Sequence, residues 1–362
     1  NVEKNIKFLK EKMKENGIVV LRTKTIPHHN VKLYIKGIAQ FLLPILFSSI
    51  VKKHIKEKID VVWLHMPPLT LALTAKLIKK QTGAKFILNL HDFFPQNAID
   101  LNLLKNKFLI WYFRILENNT LKNADLIITP SSIHLSYLKN NYNLNSKIIK
   151  VVPHWVEISE FKKAQNTGLY RKRFGLEEKF IFVFGGMMGP SQGLELFIDL
   201  ADKLKIYPDI AFLFVGEGSN KNNLIKMTRR KKLNNIIFSP IIPFRDYPSL
   251  LKECDVGILS LKTSNSTPIL PAKLIGYMAA GLPTLAYLNK NSSGIEIIKS
   301  ANCGLATSSN NKEFQLKLIK KIYSEKSKLP IYKKNGINYA NRFFSKNTCV
   351  REIFKLINST QV

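Results

Sequence analysis

Short runs of apolar, often β-branched residues alternate along this chain with longer stretches whose apolar positions recur at helical spacing. The runs fall at Ile18–Arg22, Asp60–His65, Lys85–Leu90, Asp125–Thr129 and Ile148–Val152. After a break they resume at Phe180–Gly185, Ile210–Gly216, Asn235–Ser239, Asp255–Leu261 and Pro283–Tyr287. A strand that is apolar at nearly every position is buried on both faces, which requires a parallel sheet covered by helices on either side. Two such series predict an α/β protein of two doubly wound, Rossmann-like domains. The join is expected near 153–163, just after "VVPHWVEISEF". The charged segment ahead of "NGIVVLRT" reads as helical, and 343–357 reads as a basic amphipathic helix.

In such sheets ligands bind beyond the carboxyl ends of the strands, so the loops that follow the strands hold the candidate chemistry. The fullest is "FVFGGMMGPSQGLELFIDLADKL". A strand ends at Gly185 and Gly186, a loop with Gly189, Gln192 and Gly193 follows, and a helix begins. Glycines allow close backbone approach, and a helix N-terminus offers unpaired N–H groups and positive potential, a setting for a diphosphate. Chain reversal alone would use the same glycines. In "STPILPAKLIGYMAAGLPTLAY" a helix starts near Pro271, a favoured first-turn residue, and Lys273 lies in its first turn. A cation there opposes the helix dipole, and an anionic ligand would offset that cost; a lysine stem reaching to solvent is the bland alternative. "FVGEGSN" takes a strand into Gly216 and Glu217, a weaker version of the first loop. "LNLHDFFPQNA" ends a strand at His91 and Asp92, placed for donor or acceptor contacts, although Asp92 would equally cap the following helix.

Composition narrows the classes. The 362 residues suit two domains. Lys and Arg number 56 against 25 acids, a net +31, which draws the protein toward anionic surfaces such as phosphorylated substrates or acidic lipid headgroups. The excess is dispersed, in a chain rich in Lys, Asn and Ile throughout. No segment resembles a nucleic-acid-binding module and the cations lack interleaved surface aromatics, so no specific nucleic-acid partner is expected. Cys254, Cys303 and Cys349 form no pair at metal-ligand spacing, and their odd number argues against a disulfide framework, in keeping with a reducing cytoplasm. The longest apolar stretch, Gly37–Val51, falls short of the roughly 20 residues of a spanning helix and contains Gln40 and Pro44. Within it, Phe41–Val51 is read either as a helix covering the sheet or, with Lys52, Lys53, His54 and Lys56 behind it, as an interfacial edge.

Taken in order, "DVVWLHMPPLTLAL", "LNLHDFFPQ", "ADLIITPS", "VVPHWVE", "GGMMGPSQGLELFI", "FLFVGEG", "CDVGILSL" and "LPAKLIGYMAAGLPTLA" resemble glycosyltransferase family 4 over nearly the whole chain. Gln192 before the glycine and Pro271-Ala-Lys273 are most similar to the branch that includes L-fucosamine transferases of surface-polysaccharide synthesis. The resemblance implies a GT-B fold, two Rossmann-like domains facing across a cleft. It assigns 1–155 to the acceptor side, 156–342 to the nucleotide-sugar donor and 343–362 to a C-terminal helix that packs back on the first domain. It implies retaining transfer from a nucleotide sugar, UDP-sugar favoured, to a lipid-linked or polysaccharide-precursor acceptor, at the inner face of the cell membrane and its anionic surface. Donor binding falls to Gly185, Gly186, Gly189, Gln192, Gly193, Gly216, Glu217 and Lys273, and catalysis to His91 and Asp92. No metal and no cofactor are called for, since the nucleotide sugar is a substrate.

Two departures stand out. Where many members carry Arg and Lys in the phosphate loop, this chain has Met187 and Gln192; where many carry two glutamates eight residues apart, it has Pro268 and Gly276. A sugar-nucleotide epimerase of the same architecture and a non-catalytic assembly partner are the competing readings. The histidines at 91, 134 and 154 with Asp92 make a poor proton-transfer set for the first. The lost acids favour the second, whereas a subfamily that grips its donor through Lys273 keeps catalysis.

The match also begins late. In this family a strand, a glycine loop, a helix and a second strand precede "NGIVVLRT", so about 60–80 residues of two βα units are expected ahead of Asn1. Reading the gene upstream of Asn1 checks this; an in-frame stop directly upstream, with an N-domain sheet complete without those strands, would sink it.

Overall fold

The computed structural model describes residues 10–26, 33–144 and 149–359. The chain divides into two compact units. One comprises the chain up to Pro95 with Leu104–Thr129 and Leu138–Lys150. The other comprises Gln96–Leu103, Pro130–Tyr137 and everything from Val151 onward.

The first unit opens with a two-stranded antiparallel hairpin, β1 (Lys12–Glu15) and β2 (Ile18–Leu21). This corrects two expectations, since 12–15 is a strand and not helical, and Ile18–Leu21 pairs with it and not with the parallel series. Asn16-Gly17 explains the outcome. Both residues take positive φ, 49° and 86°, the geometry of the tight hairpin turn that Asn-Gly favours. Residues 1–9 of the charged segment lie outside the described residues. A parallel sheet follows, β3 (Val61–Met66), β4 (Lys85–Leu90), β5 (Leu126–Thr129) and β6 (Ile149–Val151), in that spatial order. Helices Leu33–His54, Ala72–Thr82 and Lys107–Asn123 belong to the same unit.

The second unit holds a parallel sheet of six strands: β7 (Phe180–Gly185), β8 (Ile210–Val215), β9 (Ile236–Ser239), β10 (Val256–Ser260), β11 (Thr284–Tyr287) and β12 (Gly304–Thr307). The order is β12-β11-β10-β7-β8-β9. The chain winds outward from β7 in one direction and from β10 in the other, so the β7/β10 boundary is the switch point of a doubly wound sheet. Period-2 alternation sorts the side chains. Phe180, Phe182, Phe184, Phe212 and Phe214 share one core with Phe197, Ile198 and Leu204 of helix Glu195–Leu204. Ile181, Val183, Leu213 and Val215 share the other with Leu274, Tyr277 and Met278 of helix Ala272–Ala280. Sequence pattern missed β12, an edge strand whose four residues are only half-buried and begin at glycine.

The helix read over 343–357 is observed at Lys346–Ser359, and a separate helix, Leu329–Phe343, runs up to it. Phe344 is buried in the second unit's core. Its carbonyl accepts from Val156 N (2.9 Å), while Lys346 N donates to the Val156 carbonyl (3.1 Å) and Ser345 Oγ accepts from Thr348 N (3.2 Å). Strand-like pairing at Val156 and a fresh serine cap break the helix.

Helix Ala272–Ala280 is fixed to the sheet by one side chain. Tyr277, fully buried, lays its ring over Gly257 of β10, where an added Cβ would stand 2.5 Å from Cδ2. Its hydroxyl accepts from Gly185 N (3.2 Å) at the end of β7, beyond the residues that β7 pairs with β10. Burial raises the phenol pKa and keeps the group neutral. Tyr277→Phe keeps the ring but strands the buried Gly185 N–H, so urea unfolding is expected to show a loss of about 1–3 kcal/mol. Gly257→Ala is expected to cost more, because ring and helix must move. Wild-type stability in both would sink this account.

Helix Lys107–Asn123 buries an acid, Glu117, among Phe113, Leu116 and Leu121. Desolvation pushes its carboxyl up to about 7, against a hydrogen bond from Tyr142 and the charge of Arg114. The folded state thus holds a proton that the unfolded chain releases near pH 4.5. Stability is full below that pH and is lost as pH rises toward about 7, by up to about 3 kcal/mol, and the cost persists above it. Glu117→Gln should remove this slope. Denaturant unfolding of both proteins from pH 4.5 to 7.5 checks it, and parallel profiles would refute it.

Candidate active site

At the switch point of the second sheet, β7 ends in Gly185-Gly186 and the helix after β10 begins at Ala272. Lys273 is one helical turn before Tyr277, so the two share a helix face. With Tyr277 anchored on Gly257 and Gly185, the Lys273 stem lies across Gly186, where an added Cβ would stand 2.8 Å from Cε. Gly186 has φ 131°, a conformation that a side chain rarely adopts. The Lys273 ammonium donates to Gln192 Oε1 at 2.9 Å and sits 4.8 Å from the centre of the Phe184 ring. Among the described residues it makes no ion pair with a carboxylate. Desolvation pushes its pKa down to about 8.

This amine borders a cavity of about 430 Å³. Gly185, Gly186 and Gly216 form its backbone floor, and Trp155, Ile241 and Phe244 its apolar wall. All three wall residues are substantially exposed, Phe244 at 73%. Gly276, where the family's second glutamate would stand, also lines it; an added Cβ there would reach only Phe161 Cζ, at 4.0 Å. His154 is a lining residue as well.

The other predicted residues are placed differently. Gly216 and Gly218 have φ 137° and 152°, and a Cβ on them would run into the backbone of Gly186 and Met188 respectively. The two glycine loops are laced together, Gly186 N to Val215 O (2.8 Å), Met188 N to Glu217 O (2.7 Å) and Asn220 N to Met188 O (3.0 Å). Packing thus accounts for these glycines. The Glu217 carboxylate pairs with Lys221 at 2.7 Å and does not line the cavity. Gly189 is the N-cap of a single turn, Pro190–Gln192. Gly193, at φ 57°, lines a separate cleft of about 610 Å³ with Leu196, Lys262, Thr263, Tyr287 and Gln315. So Gly185, Gly186, Gly216 and Lys273 line the cavity, with Gln192 joined to them through the Lys273 amine, while Gly189, Gly193 and Glu217 do not line it.

In the first unit, His91 and Asp92 follow β4, and His91 N donates to Met66 O at the end of β3 (3.1 Å). The His65 and His91 rings are 4.1 Å apart, and Asn89 Nδ2 lies 3.3 Å from His65 Nδ1. Burial raises the Asp92 pKa, which the charge of His65 opposes; burial lowers that of His65, which Asp92 opposes. His65 went unnoticed in the sequence, although it ends its strand as His91 follows the next. His134 is fully buried beside Ser131, Nδ1 to Oγ 2.7 Å, a packing role. Tyr277 and the wall residues Trp155 and Phe244 were also missed. Of these only Tyr277 left a signal, four residues after Lys273 in a helix of small and apolar residues. Among the described residues no group of three or more His, Cys, Asp or Glu side chains could hold a metal ion.

Comparison with known proteins follows this division. Residues 15–160 match the model for Glycosyltransferase Family 4, and residues 167–339 the model for Glycosyl transferases group 1. The Escherichia coli (strain K12) protein WcaI, whose name places it in colanic acid biosynthesis as a glycosyl transferase, is 28% identical over 60% of this chain and 54% of its own length. The match thus spans about half of that relative. A Pseudomonas aeruginosa protein, the probable glycosyltransferase WbjE, is 24% identical over 75% of this chain and 68% of its own. Among solved structures, Anabaena HepE in complex with UDP has a TM-score of 0.68 at 17% identity, over 89% of this chain and 84% of HepE. Sucrose-phosphate synthase of Thermosynechococcus elongatus has a TM-score of 0.76 at 13% identity, over 97% and 86%. These likenesses fix the fold as two Rossmann-like halves of GT-B type, and the two family models in sequence make the chain a member of the group 1, family 4 glycosyltransferases.

Proposed function

We propose that this protein transfers a sugar, with retention, from a nucleotide-sugar donor to a lipid-linked or polysaccharide-precursor acceptor in surface glycan synthesis, with UDP-sugar as the favoured donor. One observation carries the reading. Lys273 is a largely desolvated cation at the switch point, held by a neutral amide and without a carboxylate partner among the described residues. Such a group is costly in the free protein and is satisfied by an anion.

The loop around Gly186 and the first turn of helix Ala272–Ala280 would hold the diphosphate. Lys273 would stabilise the charge that develops as the nucleotide leaves. It takes over the task of the family's loop cations, with Gln192, at one of their positions, steering the amine. Trp155, Ile241 and Phe244 offer flat apolar surface to a base. His91 and Asp92, with His65, are proposed for the reacting sugar and acceptor hydroxyl, where burial holds the Asp92 carboxyl above its ordinary value and makes it a stronger base. The UDP held by HepE agrees with the donor class, and the names of WcaI and WbjE with glycosyl transfer.

Lys273→Ala is expected to lower UDP affinity and sugar transfer by roughly 10- to 150-fold, the loss of a charge-assisted contact worth about 1.5–3 kcal/mol, with the fold intact by circular dichroism. Wild-type turnover would sink the assignment. The pH response has a definite sign. A donor needs the charged amine, so UDP affinity should fall as pH rises through about 8, and Lys273→Arg should flatten that decline because guanidinium stays charged. Calorimetric titration with UDP from pH 6.5 to 9.5 measures both, and UDP-, GDP- and ADP-sugars compared by thermal shift identify the base.

A further inference from the structure

The second unit has a larger hollow than the one beside Lys273, and the donor reading leaves it unused. It is the cleft of about 610 Å³ lined by Gly193, within the roughly 300–1,000 Å³ of small-ligand sites. It too lies at the carboxyl ends of strands, at Ser260-Leu261 of β10 and Tyr287-Leu288 of β11. The two hollows meet adjacent residues of one loop. Gln192 holds the Lys273 amine, and the next residue, Gly193, lines the cleft and has its carbonyl bound by Ser260 Oγ at 3.3 Å.

The lining mixes apolar area with neutral polar groups. Leu196, Leu261, Tyr287 and Leu288 supply the first, Thr263, Ser264, Ser309 and Asn310 the second. A sugar ring has the same division, a face of C–H groups and a rim of hydroxyls. One polar atom in this lining lacks a partner. Gln315 is 5% exposed, its Nε2 donates to the Ser309 carbonyl at 2.8 Å, and its Oε1 is buried with no hydrogen bond. Turning the amide over would set its oxygen against that carbonyl, so the orientation is fixed. A buried acceptor without a donor is costly. Gln315 is a lining residue, and a hydroxyl seated in the cleft is the donor that its oxygen lacks.

Charge narrows the ligand further. Lys262 and Lys312 line the cleft. Lys262 makes no ion pair among the described residues. Lys312 lies 3.3 Å from Asp199, a carboxylate that also pairs with Lys231 at 3.4 Å. Helix Glu195–Leu204 starts at the cleft with no side-chain cap, so its first turn adds positive potential. The one acid in the lining, Glu195, accepts from Asn220 Nδ2 at 2.8 Å and is already engaged. Two cations and a helix start outweigh it and favour an anionic group.

We propose that this cleft is a second ligand site, which binds a sugar carrying a carboxylate or a phosphate. The apolar lining takes the C–H face of the ring, a hydroxyl donates to Gln315 Oε1, and Lys262 and Lys312 hold the anion. An acidic unit of a glycan and a free sugar phosphate share this chemistry. The site is independent of the donor reading: its ligand is not the nucleotide, and its test needs no turnover.

The test is titration calorimetry of the full chain with glucuronate, glucose 6-phosphate, glucose and inorganic phosphate, with and without excess UDP. At least one acidic sugar should bind roughly tenfold or more tightly than glucose or phosphate, whether or not UDP is present. Glucuronate alone identifies a carboxylate site, glucose 6-phosphate alone a phosphate site, and both a site that reads charge. Lys262→Ala should weaken that binding several-fold. Gln315→Met, which keeps the length of the side chain and removes the acceptor, should do the same in a variant shown to be folded by its thermal melt. Lys226→Ala, an exposed cation of the same unit outside the cleft, should bind as the wild type does. The proposal is overturned if neither acidic sugar exceeds glucose and phosphate by that margin, or if Lys262→Ala or a folded Gln315→Met binds unchanged. It is overturned equally if excess UDP displaces the acidic sugar, which would place that sugar in the donor cavity. Failure of UDP itself to bind would count against the donor reading alone.

Discussion

The donor half of this protein depends on how closely one helix approaches the ends of two strands. Gly257 lets the Tyr277 ring rest on β10, Gly185 gives that ring's hydroxyl a backbone N–H, and the helix Ala272–Ala280 is held at that height. Everything at the switch point inherits the placement. Lys273 is carried one turn along the same face and laid over Gly186, and it meets Gln192 from a segment 81 positions away. A larger residue at 257 would lift the helix and break the meeting, although Gly257 does not touch the amine; one at 185 would collide with Tyr247. Around the switch point the glycines divide into those that admit a side chain, such as 185, 186 and 257, and those that admit another backbone, such as 216 and 218.

This division explains how far the sequence could be read. Strands buried on both faces are continuous apolar runs, so β3 to β11 were visible almost to the residue. The hairpin was not, because Lys12–Glu15 is mostly charged and largely exposed and has no apolar periodicity to show; the Asn-Gly turn was its only sign. β12 is half-buried and begins at a glycine, so it carries too little apolar signal. In the site, glycine loops and the out-of-place Lys273 were visible because they break local rules. The tie between Gln192 and Lys273 was not, since it depends on the height of a helix set by Tyr277. Glu217 went the other way: it looked like a contact residue from its loop, but Lys221 four residues later satisfies it.

The two halves also use positive charge differently. In the second unit one cation is drawn out of water and held against an aromatic face and an amide, where its charge is costly and therefore specific. In the first unit Lys52, Lys105, Lys107 and Arg114 keep their charge in solvent beside exposed apolar residues, where each is cheap and only the sum matters. The net +31 is thus a poor guide by itself. One buried lysine is informative about chemistry, whereas dispersed exposed ones mark no site by themselves.

The cost carried by Lys273 is the remaining step. A helix start disfavours a cation and desolvation disfavours a charge, so the free site is destabilised by its own central residue. Gln192 offers one hydrogen bond but no charge, and the Phe184 face offers a weak one. A carboxylate here would have relieved the cost and would also have repelled a diphosphate. Pro268 and Gly276 stand at the two positions where the family has glutamates, and the residues lining the cavity include no acid. The missing acids and the unpaired lysine are therefore one feature. With no competing anion built into the protein, the energy stored in the desolvated amine is released on an anion that arrives from outside, and the loss of the usual loop cations is tolerable because the remaining one is undivided.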